Sequence, residues 1–431
     1  MTVKEEMHSW AKDLWPIARS LTGNGVRETL AYLKQLMPNL KIYNVPSGFR
    51  AFDWTVPNEW NIRDAYIADE FGNKIVNFLD NNLHVVGYSQ PIDKWIDLDE
   101  LENHLHSIVS QPDAIPYITS YYNPYWGFCL KHSQREKLKK GLYHVVIDSD
   151  LKPGILNYGE VIIPGNEDKE VFLSTYICHP SLANDNLSGM VLTAFLAKEL
   201  LSRKKLNRSY RIIFVPETIG AIAYCAMNEK AMRKIEAGLV VATVGGPGSL
   251  GYKQSFNKDH YINRLIEEVF IEGEHDFVTY PFDIHGSDER QYSSQGFRVN
   301  VASLTKDKYY EYPYYHTSLD DLNFVQAEHI VKSLRLHQKV LAKLDAERTY
   351  RSLVSDCEVM LSKHDLYPVS GGAQTPGSDG ATELDLILWL LWMCDGRSGT
   401  HGMARRLGVS TSRVLEILTQ LEAKQVVERI A

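Results

Sequence analysis

Residues 4–36 carry apolar positions at helical spacing. Trp10, Leu14, Ile17 and Ala18 make one face, Thr22-Gly23-Asn24-Gly25 breaks it, and Thr29, Leu30, Leu33 and Leu36 begin another. Between 46 and 128 the period changes. Aromatic and β-branched residues are interrupted by Pro, Gly, Asn and Asp, as in AFDWTVPNEWNIRDAYIAD and NLHVVGYSQPI, which predicts a β-rich unit of short strands. From about 140 onward, apolar runs of strand length alternate with longer helical patterns. GLYHVVIDS, EVFLSTYI, SYRIIFVPE, GLVVATVG and RVNVASL read as strands. GMVLTAFLAKELLSRK, INRLIEEVF and QAEHIVKSLRLHQKVLAKL read as helices. Alternation of this kind predicts an α/β sheet with helices on its faces.

Segment 366–381, LYPVSGGAQTPGSDGA, is rich in Gly, Ser and Pro and reads as a linker. Three short helical patterns follow it (ELDLILWLLWMC, THGMARRLG and STSRVLEILTQLEAK), then a strand-like QVVERIA. Three helices and a strand stub predict a winged-helix-like module. The changes of pattern divide the chain into an α/β domain at 1–45 and 138–350, an inserted β-rich domain at 46–137, and a linker with the winged-helix-like domain at 351–431.

Composition narrows the function classes. Among 431 residues, 46 Lys and Arg stand against 54 Asp and Glu, a formal net charge of −8. That balance disfavours nucleic acid as the main partner, since phosphate binding needs a basic face. Residues 351–431 repeat the message with eight Lys/Arg against ten Asp/Glu. The C-terminal module is therefore read as a packing or homo-oligomer interface rather than a DNA reader. The longest apolar run, Leu384 to Met393, is too short for a membrane span and contains Asp385. MTVKEEMHSW shows no apolar signal core, and five scattered cysteines without a CxxC pair suit a reducing compartment, so the chain is expected in the cytoplasm.

Open α/β sheets bind ligands at the carboxyl ends of their strands. Chemistry-bearing residues gather where four of the apolar runs stop: His179 and Asp185 in ICHPSLANDNLSG, Glu217 in FVPETIGAIAY, Asp288, Glu289 and Arg290 in HGSDERQY, and His316 in EYPYYHTSLDDL. Histidines and carboxylates on separate strand ends are a usual zinc ligand set, and a further carboxylate beside them can serve as general base. Taken singly, each has a structural explanation. Asp185 suits a helix cap, and Asp320 and Asp321 suit the first turn of the next helix. Gly246-Pro247-Gly248-Ser249-Leu250-Gly251 also fits GxGxxG, but a proline occupies the tight turn, so it is a weak dinucleotide signal.

YICHPSLANDNLSG, FVPETIGAIAY, GSDERQY and YYHTSLDDL, in this order, resemble the aminopeptidase-like proteins related to the M28 family of zinc peptidases. The similarity is to a bacterial branch with an inserted β-rich domain and a C-terminal winged helix, and it covers nearly the whole chain. It implies a mixed sheet flanked by helices. It also implies His179, Asp185 and His316 as metal ligands and Glu217 as general base. Asp288, Glu289 and Arg290 fall on the substrate side of the pocket. Tyr314 or Tyr315 would offer a hydroxyl to the oxyanion, and Asp288 or Glu289 an acidic anchor for a substrate amine.

The chain also departs from the two-zinc pattern. Thr218 stands where a second acid would follow the base, Gly246 stands where a later acidic ligand is expected, and Ser181 replaces an aspartate two residues after the first histidine. One zinc ion is therefore expected rather than two. The expected activity is hydrolysis of an amide in a small peptide or an acylated biosynthetic intermediate. Two rivals stand beside it: a binding protein on a degenerate peptidase fold, which Thr218 and Gly246 favour, and a DNA-linked regulator, which the acidic C-terminus disfavours.

Overall fold

The computed structural model describes residues 2–367 and 382–430; most of the expected linker, 368–381, lies outside the described residues. The chain forms two compact units, Met1–Val340 and Leu341–Ala431.

The first unit is built on an eight-stranded mixed sheet. Its strands run in the order Lys41–Pro46, Ile155–Ile163, Arg208–Val215, Glu167–Tyr176, Ile235–Val240, Asn300–Lys306, Leu250–Lys253 and Phe277–Tyr280. Four neighbours in the middle, Arg208–Val215 to Asn300–Lys306, are mutually parallel, so their carboxyl ends lie on one side. These strands are nearly continuous apolar runs because helices cover both faces. Helix Gly189–Ser202 follows the same rule. It is apolar nearly all round and buried along most of its length.

The helical N-terminus divides where its apolar faces divide. Helix Val3–Leu14 starts at a capping box formed by Thr2 and Glu5. Helix Asn24–Leu36 buries Val26, Thr29, Leu30 and Leu33. Gly23 precedes it at φ +95°, and a Cβ there would lie 2.1 Å from the Trp60 carbonyl oxygen, so only glycine fits.

The β-rich stretch forms a four-stranded sheet in the order Lys74–Asn77, Glu59–Ala68, Leu142–Lys152, Ile92–Asp97. This corrects one expectation. GLYHVVIDS was grouped with the alternating α/β stretch, but Leu142–Lys152 pairs along its length with Glu59–Ala68 and Ile92–Asp97. Its alternation of buried and part-exposed positions suits a sheet covered on one face. A strand's period does not name its partners.

The second unit is a winged helix. Thr349–Ser352 lies between Asp395–Gly399 and Val427–Arg429 in a three-stranded sheet, with helices Glu383–Met393, Thr400–Leu407 and Thr411–Ala423. Leu386, Leu390, Val414, Leu418, Leu421 and Val427 form its core. Among the described residues no helix is long and apolar enough to cross a membrane.

Candidate metal centre

Two adjacent parallel strands deliver His179 and Glu217. Beyond Tyr176 the chain passes through Cys178 to His179, and beyond Val215 it reaches Glu217. The Cys178 thiol joins the two ends: its Sγ accepts the Glu217 backbone N–H at 3.2 Å and lies 3.5 Å from His179 Nδ1. Buried Arg19 donates from Nε to the His179 carbonyl at 2.9 Å and from its terminal nitrogen to the Leu14 carbonyl. The N-terminal helices thus brace the first histidine.

Asp185 sits in an irregular turn, Ala183–Ser188, that feeds helix Gly189–Ser202. Its two asparagine neighbours lock that turn. Asn186 Nδ2 donates to Thr175 Oγ1 at 2.9 Å and to the Tyr176 carbonyl at 3.2 Å. Asn184 Oδ1 accepts the N–H groups of Gly245 and Gly246 at 2.8 and 3.1 Å. Asp185 itself is aimed at the site rather than at a helix N–H: no side-chain cap bond opens the helix.

Asp320 completes the lock, and here the structure corrects the sequence reading. Asp320 is not in the first turn of a helix, since the next one begins at Ala327. It is fully buried, and its two oxygens accept the backbone N–H groups of Asn184 at 2.7 Å and Asp185 at 3.0 Å. Tyr312 donates its hydroxyl to the same carboxylate at 2.9 Å. Acidic residues after a histidine loop fit a helix start equally well from sequence, so nothing local marked this role.

The three expected ligands converge. The donor atoms of His179, Asp185 and His316 lie within 4.8 Å of one another. His316 Nε2 is 3.0 Å and His179 Nε2 is 3.9 Å from Asp185 Oδ2. Glu217 Oε2 lies 3.8 Å from His179 Nε2. His179 and Asp185 are buried, whereas the side chains of His316 and Glu217 keep 35% and 27% exposure, so the site opens on their side.

Charge states follow from this packing. Burial, helped by His316 and Arg19, pushes the His179 imidazole down to about 4 against the pull of Asp185, leaving a neutral ring with a free lone pair. Burial works to raise the Asp185 carboxyl, but His179, His316 and the Tyr176 hydroxyl hold it down to about 2. Glu217 goes the other way. Burial and the charges of Asp288 and Asp185 push it well above the usual carboxylate range.

The residues of the SDERQ string divide. Asp288 is buried and accepts the Thr218 N–H at 2.8 Å; its other oxygen has no partner. Glu289 is buried beside Ser303, Tyr309 and Lys253. Arg290 is exposed and donates to the Ile284 carbonyl. Tyr315 stacks on His316 at a 3.9 Å centroid distance, whereas Tyr314 turns its ring edge to Phe324. Sequence reasoning missed Tyr117, whose ring lies 5.1 Å from both His179 and His316. It belongs to the β-rich stretch, far from every motif.

Burial, reinforced by Glu289, raises Asp288 to about 7 against the Thr218 N–H. The folded form therefore holds its proton more tightly than the unfolded chain does. Its stabilising contribution is complete below pH ~4 and is lost as pH rises through ~7. In the metal-free protein Asp288→Asn is expected to remove this loss, so its stability relative to wild type rises from pH 4 to 8; urea unfolding of both proteins measures the difference.

At Gly246, where a later acidic ligand was expected, a side chain would meet Asp307. A Cβ there would lie 2.1 Å from Asp307 Oδ2, and one at Gly248 would lie 1.8 Å from Asp307 Oδ1. The glycine-rich loop wraps the chain's own Asp307, whose Oδ2 accepts the Gly248 N–H at 2.7 Å. That accounts for the first two glycines of the GxGxxG match without a nucleotide. Gly246→Asp is expected to lose about 1–3 kcal/mol by overpacking and to gain no second metal, as read by thermal unfolding and metal counting. Among the described residues, His179, Asp185 and His316 are the one set of three such donors in metal-holding range.

Residues 8–347 match the model of a family described as a domain of unknown function, DUF4910, and residues 348–429 match a winged helix-turn-helix model. A Clostridium acetobutylicum protein, provisionally named a polysaccharide biosynthesis protein with an aminopeptidase-like domain, is 41% identical over 95% of this chain and 93% of its own length. A crystal structure from Clostridium acetobutylicum superposes with a TM-score of 0.84 at 38% identity, covering 99% of this chain and 96% of that one. At the level of fold, a zinc aminopeptidase from Bacillus subtilis matches with a TM-score of 0.58 at 13% identity, over 79% of this chain and 94% of its own. An M28 peptidase precursor from Shewanella amazonensis matches with a TM-score of 0.53 at 14% identity, over 78% and 93%. This chain therefore belongs to the DUF4910 family, with an M28-like aminopeptidase fold followed by a winged helix.

Proposed function

We propose that this protein is a zinc-dependent hydrolase that cleaves an amide bond of a small peptide or an acylated biosynthetic intermediate, with Glu217 as general base. One observation carries the reading: two imidazole nitrogens and a carboxylate oxygen converge within 4.8 Å, with the Glu217 carboxylate 3.8 Å from one of those nitrogens. The donor set suits the ion. His316 Nε2 points at Asp185 Oδ2 from 3.0 Å, and two nitrogens with one oxygen form the three-ligand set of catalytic zinc sites, which leaves one position open.

A bound zinc ion supplies Lewis acidity, which makes water more acidic and polarises a carbonyl. His179, Asp185 and His316 would hold it. Glu217 takes the proton of the attacking water and returns it to the leaving amine. Asp288 and Glu289, each with a partnerless buried oxygen, offer an acidic wall to a substrate amine. Tyr315, whose ring stacks on His316, is the tyrosine this reading assigns to the oxyanion. The Clostridium relative's name supports a biosynthetic intermediate over a dietary peptide. Five free cysteines support a cytoplasmic setting.

A second reading keeps the fold and drops the reaction. Thr218 and Gly246 favour a binding protein, because both positions lack the acid that a two-metal peptidase would use. Metal analysis and a screen of amino-terminal and N-acyl amides separate the two. The enzyme reading expects about one equivalent of zinc, lost in His179→Ala and His316→Ala, with hydrolysis of at least one amide class. Protein that takes up no metal on reconstitution and cleaves nothing supports the binding protein.

A further inference from the structure

We propose that Tyr117, together with the segment 111–118 that carries it, is a positioning residue for the metal ligand His316, so that the β-rich stretch is an integral part of the metal centre. The inference rests on the metal-site reading above.

His316 is the one ligand without a strand end or a helix start to hold it. The strand Asn300–Lys306 ends ten residues earlier, and the next helix starts only at Ala327. Its backbone is at φ +55°, the left-handed region that a residue with a Cβ rarely adopts unless its surroundings impose it. The surroundings that impose it come from 111–118. Tyr117 donates its N–H to the His316 carbonyl at 2.8 Å. Ser318 donates its N–H to the Ile115 carbonyl at 2.9 Å, and its hydroxyl oxygen accepts the Ile115 N–H at 3.0 Å. Gln111 Nε2 reaches the Pro313 carbonyl at 2.7 Å. Pro116 and Thr317 form an antiparallel bridge between the same two segments.

The ring acts with the backbone. Tyr315 stacks on one face of His316 at 3.9 Å and 15°, and Tyr117 stands at 5.1 Å and 89° to it. The imidazole is therefore restrained with Nε2 toward Asp185 Oδ2. Tyr117 also touches His179, at 5.1 Å and 52°, so one ring sets the spacing of both histidines. It is itself held by a 3.2 Å hydroxyl contact with Tyr121, whose ring packs on Tyr88. Tyr88 in turn shares a 2.6 Å hydrogen bond with Thr22. The hydroxyl of Tyr117 is engaged with Tyr121; the ring and the backbone do the positioning.

The test uses full-length Tyr117→Leu, Tyr117→Phe and Ser318→Ala proteins, with circular dichroism to establish folding. Two readouts are needed. The first is Co(II) affinity by chelator competition, with the visible Co(II) spectrum. The second is backbone hydrogen exchange across 311–319 in metal-free protein. Tyr117→Leu should weaken Co(II) about 10–100-fold and shift the visible bands, as removal of groups behind metal ligands does. Tyr117→Phe should stay within about twofold, because it keeps the ring. Ser318→Ala, the milder change, should weaken Co(II) by a few-fold and speed exchange in 311–319 about tenfold. Folded Tyr117→Leu and Ser318→Ala proteins with wild-type exchange would overturn the proposal, as would wild-type Co(II) affinity and spectrum in Tyr117→Leu. If the wild-type protein binds no Co(II), the function proposed above fails, and the exchange measurement alone decides the role of Tyr117.

Discussion

Glu217→Gln is expected to lower amide hydrolysis about 10²–10⁴-fold, or roughly 3–5 kcal/mol in the barrier, while leaving the metal content unchanged. Glutamine keeps the shape and cannot take the proton. In the metal-free protein the same change should raise stability. Glu217 is held near the carboxylates of Asp288 and Asp185, and its charge is disfavoured by burial as well. A neutral amide removes that repulsion, so the melting temperature should rise while turnover collapses, the trade-off expected where an active site stores strain. A purely structural Glu217 would behave in the opposite way. Steady-state hydrolysis and metal analysis of the metal-loaded protein, with thermal unfolding of the metal-free protein, test all three statements. Unchanged turnover on every amide that the wild type cleaves would sink the general-base assignment.

Asp320→Ala is expected to cost about 3–5 kcal/mol of stability and 10–100-fold in metal affinity. Its carboxylate accepts two backbone N–H groups and the Tyr312 hydroxyl in a fully buried position, and one of those N–H groups belongs to the ligand Asp185. Alanine leaves buried donors without partners, which costs about 1–3 kcal/mol each. The irregular turn Ala183–Ser188 would then lose one of its anchors while the asparagine anchors remain. Asp320→Asn should fall between wild type and alanine, since an amide oxygen can still accept one N–H. Urea unfolding and chelator competition measure the two effects. A metal affinity equal to wild type in folded Asp320→Ala would show that Asn184 and Asn186 hold Asp185 unaided.

The two predictions concern residues of different visibility. Glu217 could be picked out because a carboxylate directly after an apolar strand needs a reason to be there. His179 and Asp185 shared one short string, and His316 sat in a loop whose neighbours matched a known pattern. Asp320 was equally visible and was misread, because its partners lie 135 and 136 residues away in sequence. Tyr117 had no local signature. Its role depends on a ladder between 111–118 and 313–318, and a lone tyrosine among many aromatic residues does not announce one. The strand Leu142–Lys152 was visible as a strand, but period alone could not say which of two sheets it joins.

Local chemistry along the chain pointed to the α/β class, the helical and strand segments and the winged helix, and the four residues that meet at the centre came from it together with the resemblance of their motifs to M28-related proteins. Each of these depends on side-chain type and short-range spacing, which a linear string preserves. Only the tertiary structure decided which groups stand behind the three expected ligands: Arg19 at His179, Asn184, Asn186 and Asp320 around Asp185, and Tyr117 beside His316. Their partners are backbone groups brought near by sheet order and loop docking, and a backbone N–H or carbonyl is the same at every residue, so sequence leaves no mark of which one will be used.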